Sequence, residues 1–113
     1  MSEEKLNDST FLINIIVDKL KILRKSLEDE EKIKDITMCI NLGEMILDDQ
    51  NYFKEVDDIW DSSSKEYGPE WPLVNTKRFA EWSAKHEIAE REYKKAIKTF
   101  YTIMANYSYD WWQ

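Results

Sequence analysis

Hydrophobic residues in the first part of the chain recur at alternating intervals of three and four, the spacing of one helix face. The first such run consists of Ile13, Ile16, Leu20, Leu23 and Leu27. Polar residues at positions 7–10 can accept hydrogen bonds from free backbone amides, so we expect them to cap this helix. The pattern predicts a helix over residues 10–28. Further apolar residues widen the stripe and predict burial on more than one side: Leu12, Ile15, Val17 and Ile22.

A second helical run follows an acidic stretch at residues 28–31, which suits the positive end of a helix dipole. The run predicts a helix over residues 29–48 and consists of Ile33, Ile36, Ile40, Gly43 and Leu47. A glycine inside a helix costs about 1 kcal/mol relative to alanine. The place of Gly43 on the apolar stripe therefore indicates close approach of another helix. No Gly or Pro separates the two helices, so one continuous helix is an alternative. We favour a hairpin, because a single long helix would leave much apolar surface uncovered.

Residues 50–75 have no sustained helical pattern and are predicted to form an irregular, aromatic-rich connection. Gly68, Pro69 and Pro72 all lie here, and their backbone constraints are typical of a loop. A short helix is expected around residues 52–60, where apolar side chains share one face.

The last helical pattern is the longest. Asn75 or Thr76 is expected to cap a helix over residues 76–107, whose apolar stripe runs without a break from Phe79 to Tyr107. An aromatic tail follows at residues 108–113. Together the patterns predict an all-α fold. We expect a single domain over residues 1–113, built as a bundle of three long helices.

The charge of the chain is unevenly distributed. The net charge is −7, and residues 28–75 hold fourteen acidic and four basic side chains, whereas both flanking segments are slightly basic. A negative field repels phosphate and attracts basic surfaces, so direct binding of duplex nucleic acid is not expected. The apolar runs are too short to span a membrane, and the N-terminus lacks the features of a secretory signal. We therefore expect a cytoplasmic protein.

The densest acidic stretch predicts a surface that binds a partner. Within residues 44–61, Lys54 is the single base among seven acids: Glu44, Asp48, Asp49, Glu55, Asp57, Asp58 and Asp61. A protein with a basic surface, such as a nucleic-acid-binding enzyme, is the partner that such a stretch would attract. The alternative interpretation is a solvated acidic face without a partner.

Aromatic residues are unusually frequent, at fifteen of 113 residues, and five of them are tryptophans. Tryptophan dominates many binding interfaces because it combines a large apolar area with a polar N–H. Four tryptophans are candidate anchors for a partner: Trp60, Trp71, Trp111 and Trp112. The alternative is that Trp60, Trp71 and Trp82 complete a small core and that the terminal pair docks onto the helices of its own chain.

Residues that could support catalysis or metal binding are few. Residues 57–61 spell DDxxD, a pattern that holds magnesium in prenyl-transferring enzymes, but those enzymes need a large helical cavity that 113 residues cannot enclose. His86 is the only histidine and Cys39 the only cysteine, and nothing identifies a third orienting group or an oxyanion site. We therefore expect no catalytic residue, metal or cofactor.

The segment EREYKKAIKTFY at residues 90–101, together with the tryptophan-rich ending, resembles small acidic helical proteins of tailed bacteriophages. The likeness covers roughly the last quarter of the chain. Many such proteins bind host enzymes or defence complexes. The resemblance implies a protein of that class. Together with the acidic stretch and the tryptophans, it leads us to expect a non-enzymatic inhibitor or modulator of a host enzyme or defence complex. A more specific version of this hypothesis is a nucleic-acid mimic that blocks a DNA- or RNA-binding enzyme.

Two other functions remain open at this point. The stripe from Phe79 to Tyr107 can seat a homodimer of a self-assembling structural protein, since Ala89 and Ala96 permit close helix approach. A small metal-dependent enzyme of nucleotide or phosphate chemistry is the third interpretation.

Overall fold

The computed structural model describes the backbone of residues 2–111 and the side chains of residues 10–107, 109 and 111. Within these residues there are helices and no strand, which confirms the all-α prediction. The four α-helices are α1 (Ser2–Ser26), α2 (Glu30–Leu47), α3 (Gln50–Tyr67) and α4 (Thr76–Trp111). A single 3₁₀ turn, Gly68–Glu70, follows α3.

The first two helices form the predicted hairpin, but α1 begins earlier than the sequence pattern indicated. Residues 7–10 lie inside α1 rather than capping it, so that prediction was wrong. Asn, Asp, Ser and Thr each cost a helix interior less than about 1 kcal/mol, and the strong apolar stripe that follows outweighs this cost. The break between α1 and α2 is made by Asp29. Its side chain accepts hydrogen bonds from the backbone amides of Glu31 at 3.0 Å and Lys32 at 3.4 Å.

The connection predicted at residues 50–75 is mostly helical. α3 spans eighteen residues, because its inward side carries apolar and small residues beyond the predicted short helix at residues 52–60. Val56 and Ser63 are both buried on that side. The irregular part is confined to the residues between Gly68 and Asn75, where Gly68 has a positive φ of 70°. α4 also continues past residue 107 to Trp111, through most of the predicted aromatic tail.

The described residues divide into two compact units. One consists of α1, α2 and the last part of α4 from Lys95, and the other is Asp49–Lys94. We predicted a single domain over residues 1–113.

In the first unit, α1, α2 and the end of α4 share an apolar core around Gly43. A Cβ atom at Gly43 would lie 2.5 Å from Cγ2 of Val17 and 3.0 Å from Cε2 of Phe100, which confirms the predicted close approach. The buried side chains of this core are Ile13, Val17, Leu20, Ile36, Cys39, Ile40, Ile46, Phe100 and Trp111. Burial on this scale provides most of the free energy that holds the three segments together.

In the second unit, α3 packs against the first part of α4 through aromatic side chains. Tyr93 is buried and meets Tyr52 and Phe53 of α3, with ring centroids 5.3 and 5.4 Å apart. Asn75 joins the two helices where the connection ends. Its side-chain oxygen accepts from the amide of Arg78, and its side-chain nitrogen donates to the hydroxyl of Tyr67, both at 3.0 Å. Asn75 is therefore the cap of α4, one of the two predicted candidates.

Candidate protein-binding surface

Three of the predicted acidic residues form one exposed surface in the second unit. Asp57, Asp58 and Asp61 lie on the solvent side of α3, opposite the buried Val56 and Ser63. Because residues three and four apart are neighbours on a helix, Asp61 lies one turn from both of the other carboxylates. We call these three residues the acidic face of α3.

The acidic face is only partly neutralised by neighbouring side chains. Lys54 contacts Asp58 at 3.7 Å, and both side chains are about two-thirds or more exposed, so water screens this pair strongly. Asp57 accepts a hydrogen bond at 3.0 Å from the side-chain amide of Gln50, which leaves its charge uncompensated. No ion pair involves Asp61 among the contacts of the described side chains.

The other predicted acids do not join this face. Glu44 and Asp48 belong to the first unit, where Glu44 pairs with Lys21 at 2.7 Å and Asp48 ends α2. Asp49 precedes α3, and its backbone carbonyl accepts hydrogen bonds from the amides of Tyr52 and Phe53. Glu55 lies on the flank of α3 and pairs with Lys85 of α4. The sequence thus grouped seven acids that the fold distributes over helix ends, ion pairs and one exposed face.

A cluster of four aromatic rings fixes the orientation of α3. The ring of Trp60 lies 5.6 Å from Trp71 and 4.7 Å from Trp82, and Phe79 contacts both of those rings at 6.3 and 5.6 Å. Each of these contacts falls within or close to the 4.5–7 Å range of favourable aromatic pairs. Because the rings pack on the inward side of α3, they hold the acidic face toward solvent.

This packing determines which tryptophans are accessible. Trp71 is 6% exposed within the aromatic cluster, and Trp111 is 2% exposed in the first unit, where it stacks on Tyr107. Both rings belong to cores, so we do not retain them as anchors for a partner. Trp60 is half-buried against the other rings, and Trp112 lies outside the described residues.

The residues considered for metal binding or catalysis are not brought together. His86 stacks on Trp82 with centroids 5.0 Å apart, and its Nδ1 atom lies 3.9 Å from a carboxylate oxygen of Glu90. Cys39 is in the other unit and donates a hydrogen bond to the sulfur of Met104 at 3.6 Å. Among the described residues, no group of three or more His, Cys, Asp or Glu side chains is arranged to hold a metal ion.

The apolar stripe of α4 is used within the chain. Ala89, Tyr93 and Phe100 are all buried. This packing occupies the surface that we considered for a homodimer through the third helix, and we do not propose that seam.

Sequence reasoning missed an apolar surface on α1. We predicted that α1 is buried on more than one side, but Phe11 and Ile22 are each 64% exposed, and Leu12 and Ile15 are 51% and 40% exposed. The number of apolar residues on α1 predicted a second contact, and the side chains that the structure describes do not supply it.

Two further results bear on function. No helix in the described part of the chain is long and apolar enough to cross a membrane. Comparisons with protein-family models, with curated proteins and with solved structures find no match to this chain.

Proposed function

We propose that this protein is a non-enzymatic binding module that uses the acidic face of α3 to occupy a basic surface on another protein. The observation that carries the proposal is the exposed set Asp57, Asp58 and Asp61, of which two carry charges without an ion-pair partner in the described contacts. Such a face accelerates encounter with a positively charged partner and selects against negatively charged ones.

The rigidity of α3 supports this role. The acidic face lies on a helix that is held by the aromatic cluster and by the contacts of Tyr93 with Tyr52 and Phe53. Carboxylates on a fixed helix lose little conformational freedom on binding, so more of their interaction energy is retained in the complex. The face therefore resembles a preformed row of negative charge, as a phosphate backbone does.

A cleft on the flank of α3, which Lys85 also lines, offers room for a side chain of the partner. It measures about 490 Å³ and lies between α3 and α4, with Val56 and Ala89 among its lining residues. Glu92 also lines it and is in no ion pair among the described contacts. Burial and, to a lesser degree, the Glu92 carboxylate raise the pKa of the Tyr52 phenol. An arginine or lysine places an apolar stem and a charged end in such an environment.

The partner that fits these features is a protein whose basic surface ordinarily binds nucleic acid. The module would compete with DNA or RNA for that surface, as an inhibitor or modulator of a host enzyme or defence complex. This form of the proposal places the protein in the cytoplasm of a bacterial host infected by a tailed phage.

Affinity capture with charge-reversed variants tests the proposal. The test variant replaces Asp57, Asp58 and Asp61 by Lys, and the matched control replaces Glu28, Glu31 and Asp35 of the first unit by Lys. Both variants change the net charge by the same amount. Immobilised wild type and control should retain the same basic protein from a bacterial lysate at about 50 mM salt and release it at about 500 mM, since salt screens exposed charges.

The test variant should retain less than about a tenth of that protein, and added duplex DNA should displace it from the wild type. Circular dichroism of all three proteins checks that the helices are intact. Equal retention by the test variant, or retention that salt and DNA do not affect, would contradict the proposal.

A further inference from the structure

We propose that the outer face of α1 binds a second copy of this chain as an antiparallel α1–α1 pair. The outer face consists of Phe11, Ile15 and Ile22, with Leu12 beside them. This surface lies apart from the acidic face of α3 in sequence and chemistry, and the inference does not depend on the proposed function.

The two sides of α1 differ in exposure although both are apolar. Ile13, Val17 and Leu20 on the inner side are at most 2% exposed and pack in the core of the first unit. On the outer side, Phe11 and Ile22 are 64% exposed. An exposed row of large apolar side chains on a chain with 35% charged residues indicates an interface rather than a chance exposure.

The charge of α1 favours a second copy as the occupant. Residues 1–27 carry five basic and four acidic side chains, whereas residues 28–75 have an excess of ten negative charges. Two copies that met through the acidic middle of the chain would repel each other. α1 is nearly neutral, so two copies that meet there repel each other less. A two-fold interface requires a surface that complements itself, and a mainly apolar row with one acid, Asp18, can meet this requirement.

The spacing of the row favours the antiparallel arrangement. Phe11, Ile15, Asp18 and Ile22 follow at intervals of four, three and four, the repeat of a helix–helix seam. In a parallel pair, the two Asp18 carboxylates would meet in the same layer. In an antiparallel pair centred between Ile15 and Asp18, Phe11 faces Ile22 of the other copy at both ends, and each Asp18 faces an isoleucine. The opposed helix dipoles also attract each other in this arrangement.

The expected affinity is modest. A seam with three or four apolar residues from each copy is smaller than the roughly 1,600 Å² of a standard interface. We expect a dissociation constant between about 1 and 100 μM. Salt should strengthen the dimer, because each copy carries a net charge of −7 and screening reduces their mutual repulsion.

Sedimentation equilibrium from about 1 to 500 μM protein tests self-association. The wild type should pass from monomer to dimer across this range, and Ile22→Glu should weaken the dimer at least tenfold. Met38→Glu is the matched control, because Met38 of α2 is 61% exposed and lies off the outer face of α1. This control should dimerise as the wild type does. A monomer at every concentration, or equal dimerisation by Ile22→Glu, would overturn the proposal.

Disulfide cross-linking tests the antiparallel arrangement. Phe11→Cys and Ile22→Cys lie opposite each other between copies in this arrangement, whereas two copies of the same position are about 16 Å apart along the helix, from the 1.5 Å rise per residue. An equimolar mixture of the two variants should therefore cross-link, and each variant alone should not. The native Cys39 is buried and should not interfere. Efficient cross-linking of Phe11→Cys alone would contradict the antiparallel pair.

Discussion

At the scale of single residues, Gly43 lies so close to its neighbours that an added side chain would clash with them. An added Cβ would lie 2.5 Å from a methyl group of Val17 and 3.0 Å from the ring of Phe100. Gly43→Ala gains about 1 kcal/mol in helix propensity but must displace both neighbours. Overpacking of a core typically costs about 1–3 kcal/mol. We therefore expect Gly43→Ala to lower the free energy of unfolding by up to about 2 kcal/mol in urea denaturation.

Val17 provides the control for this prediction. Val17→Ala removes the methyl group that an alanine at position 43 would strike. The double variant Gly43→Ala/Val17→Ala should therefore lose less stability than the sum of the two single variants. Additive losses would contradict the proposed clash.

The reactivity of Cys39 is a second prediction at this scale. Burial raises the pKa of the Cys39 thiol from 9.0 to about 11, and the thiolate is the reactive form. Two pKa units reduce the thiolate fraction near pH 8 about a hundredfold. Alkylation by iodoacetamide, followed by mass spectrometry, should therefore be at least about a hundredfold slower in the folded protein than in urea. Similar rates in both states would show that the first unit opens readily.

Two features of single residues were predicted correctly from the sequence. The close approach at Gly43 was predicted from its place on the apolar stripe, and Asn75 was one of the two predicted caps of α4. The burial of Trp71 and Trp111 was left open. Hydrophobic periodicity does not specify the path of an irregular segment. Whether the ring of Trp71 faces a core or a partner depends on the path of the segment after Gly68.

At the scale of helices, Asn75 joins the start of α4 to the end of α3. Its side chain caps the amide of Arg78 and donates to Tyr67. Asn75→Ala should destabilise the protein by about 1–2 kcal/mol, within the usual range for a lost cap. Asn75→Asp keeps the capping oxygen and should recover most of that loss. Urea denaturation of the three proteins measures both effects, and equal losses for Ala and Asp would show that the cap contributes little.

The helices themselves were largely predictable from sequence, and their ends were not. The 3-4 spacing predicted α1, α2 and α4 because each carries a long apolar stripe. α3 was predicted only over residues 52–60, because the next buried position on its inner side is Ser63. Serine is polar and does not extend an apolar pattern, although it is small enough to be buried. The acidic face of α3 could be located only approximately, because this requires knowing that α3 extends past Trp60.

At the scale of the whole molecule, three buried or half-buried tyrosines make the stability depend on pH in the alkaline range. Burial is the main cause that raises the pKa of Tyr52, Tyr93 and Tyr101 above 10.0 in the folded protein. A group whose pKa is raised by folding keeps its stabilising contribution below the pKa of the unfolded chain. That contribution is lost as the pH rises through the folded pKa. The free energy of unfolding should therefore fall above about pH 10.

Tyr93→Phe provides the comparison for this pH dependence. It removes one of the titrating hydroxyls while keeping the ring that meets Tyr52 and Phe53. Its stability should decline less steeply than that of the wild type between pH 9 and 11 in urea denaturation. If the free energy of unfolding fell equally steeply with pH in both proteins, Tyr93 would not contribute to the pH dependence.

The two proposed binding surfaces, the acidic face of α3 and the outer face of α1, should respond to salt in opposite ways. Binding through the acidic face of α3 should weaken with salt, and pairing through α1 should strengthen with it, because the first depends on attraction between charges and the second is opposed by repulsion. Net charge alone predicted neither surface. The fold was needed because ion pairs such as Glu44 with Lys21 remove some acids from the binding surface.

The most direct test of the central claim is the dissociation constant of the captured basic partner for two proteins at two salt concentrations. These proteins are the wild type and the neutral variant Asp57→Asn/Asp58→Asn/Asp61→Asn. At about 50 mM salt the variant should bind at least tenfold more weakly, and at about 500 mM the difference should shrink to less than about threefold, because screening removes the advantage of the charges. Equal dissociation constants at about 50 mM salt would contradict the account.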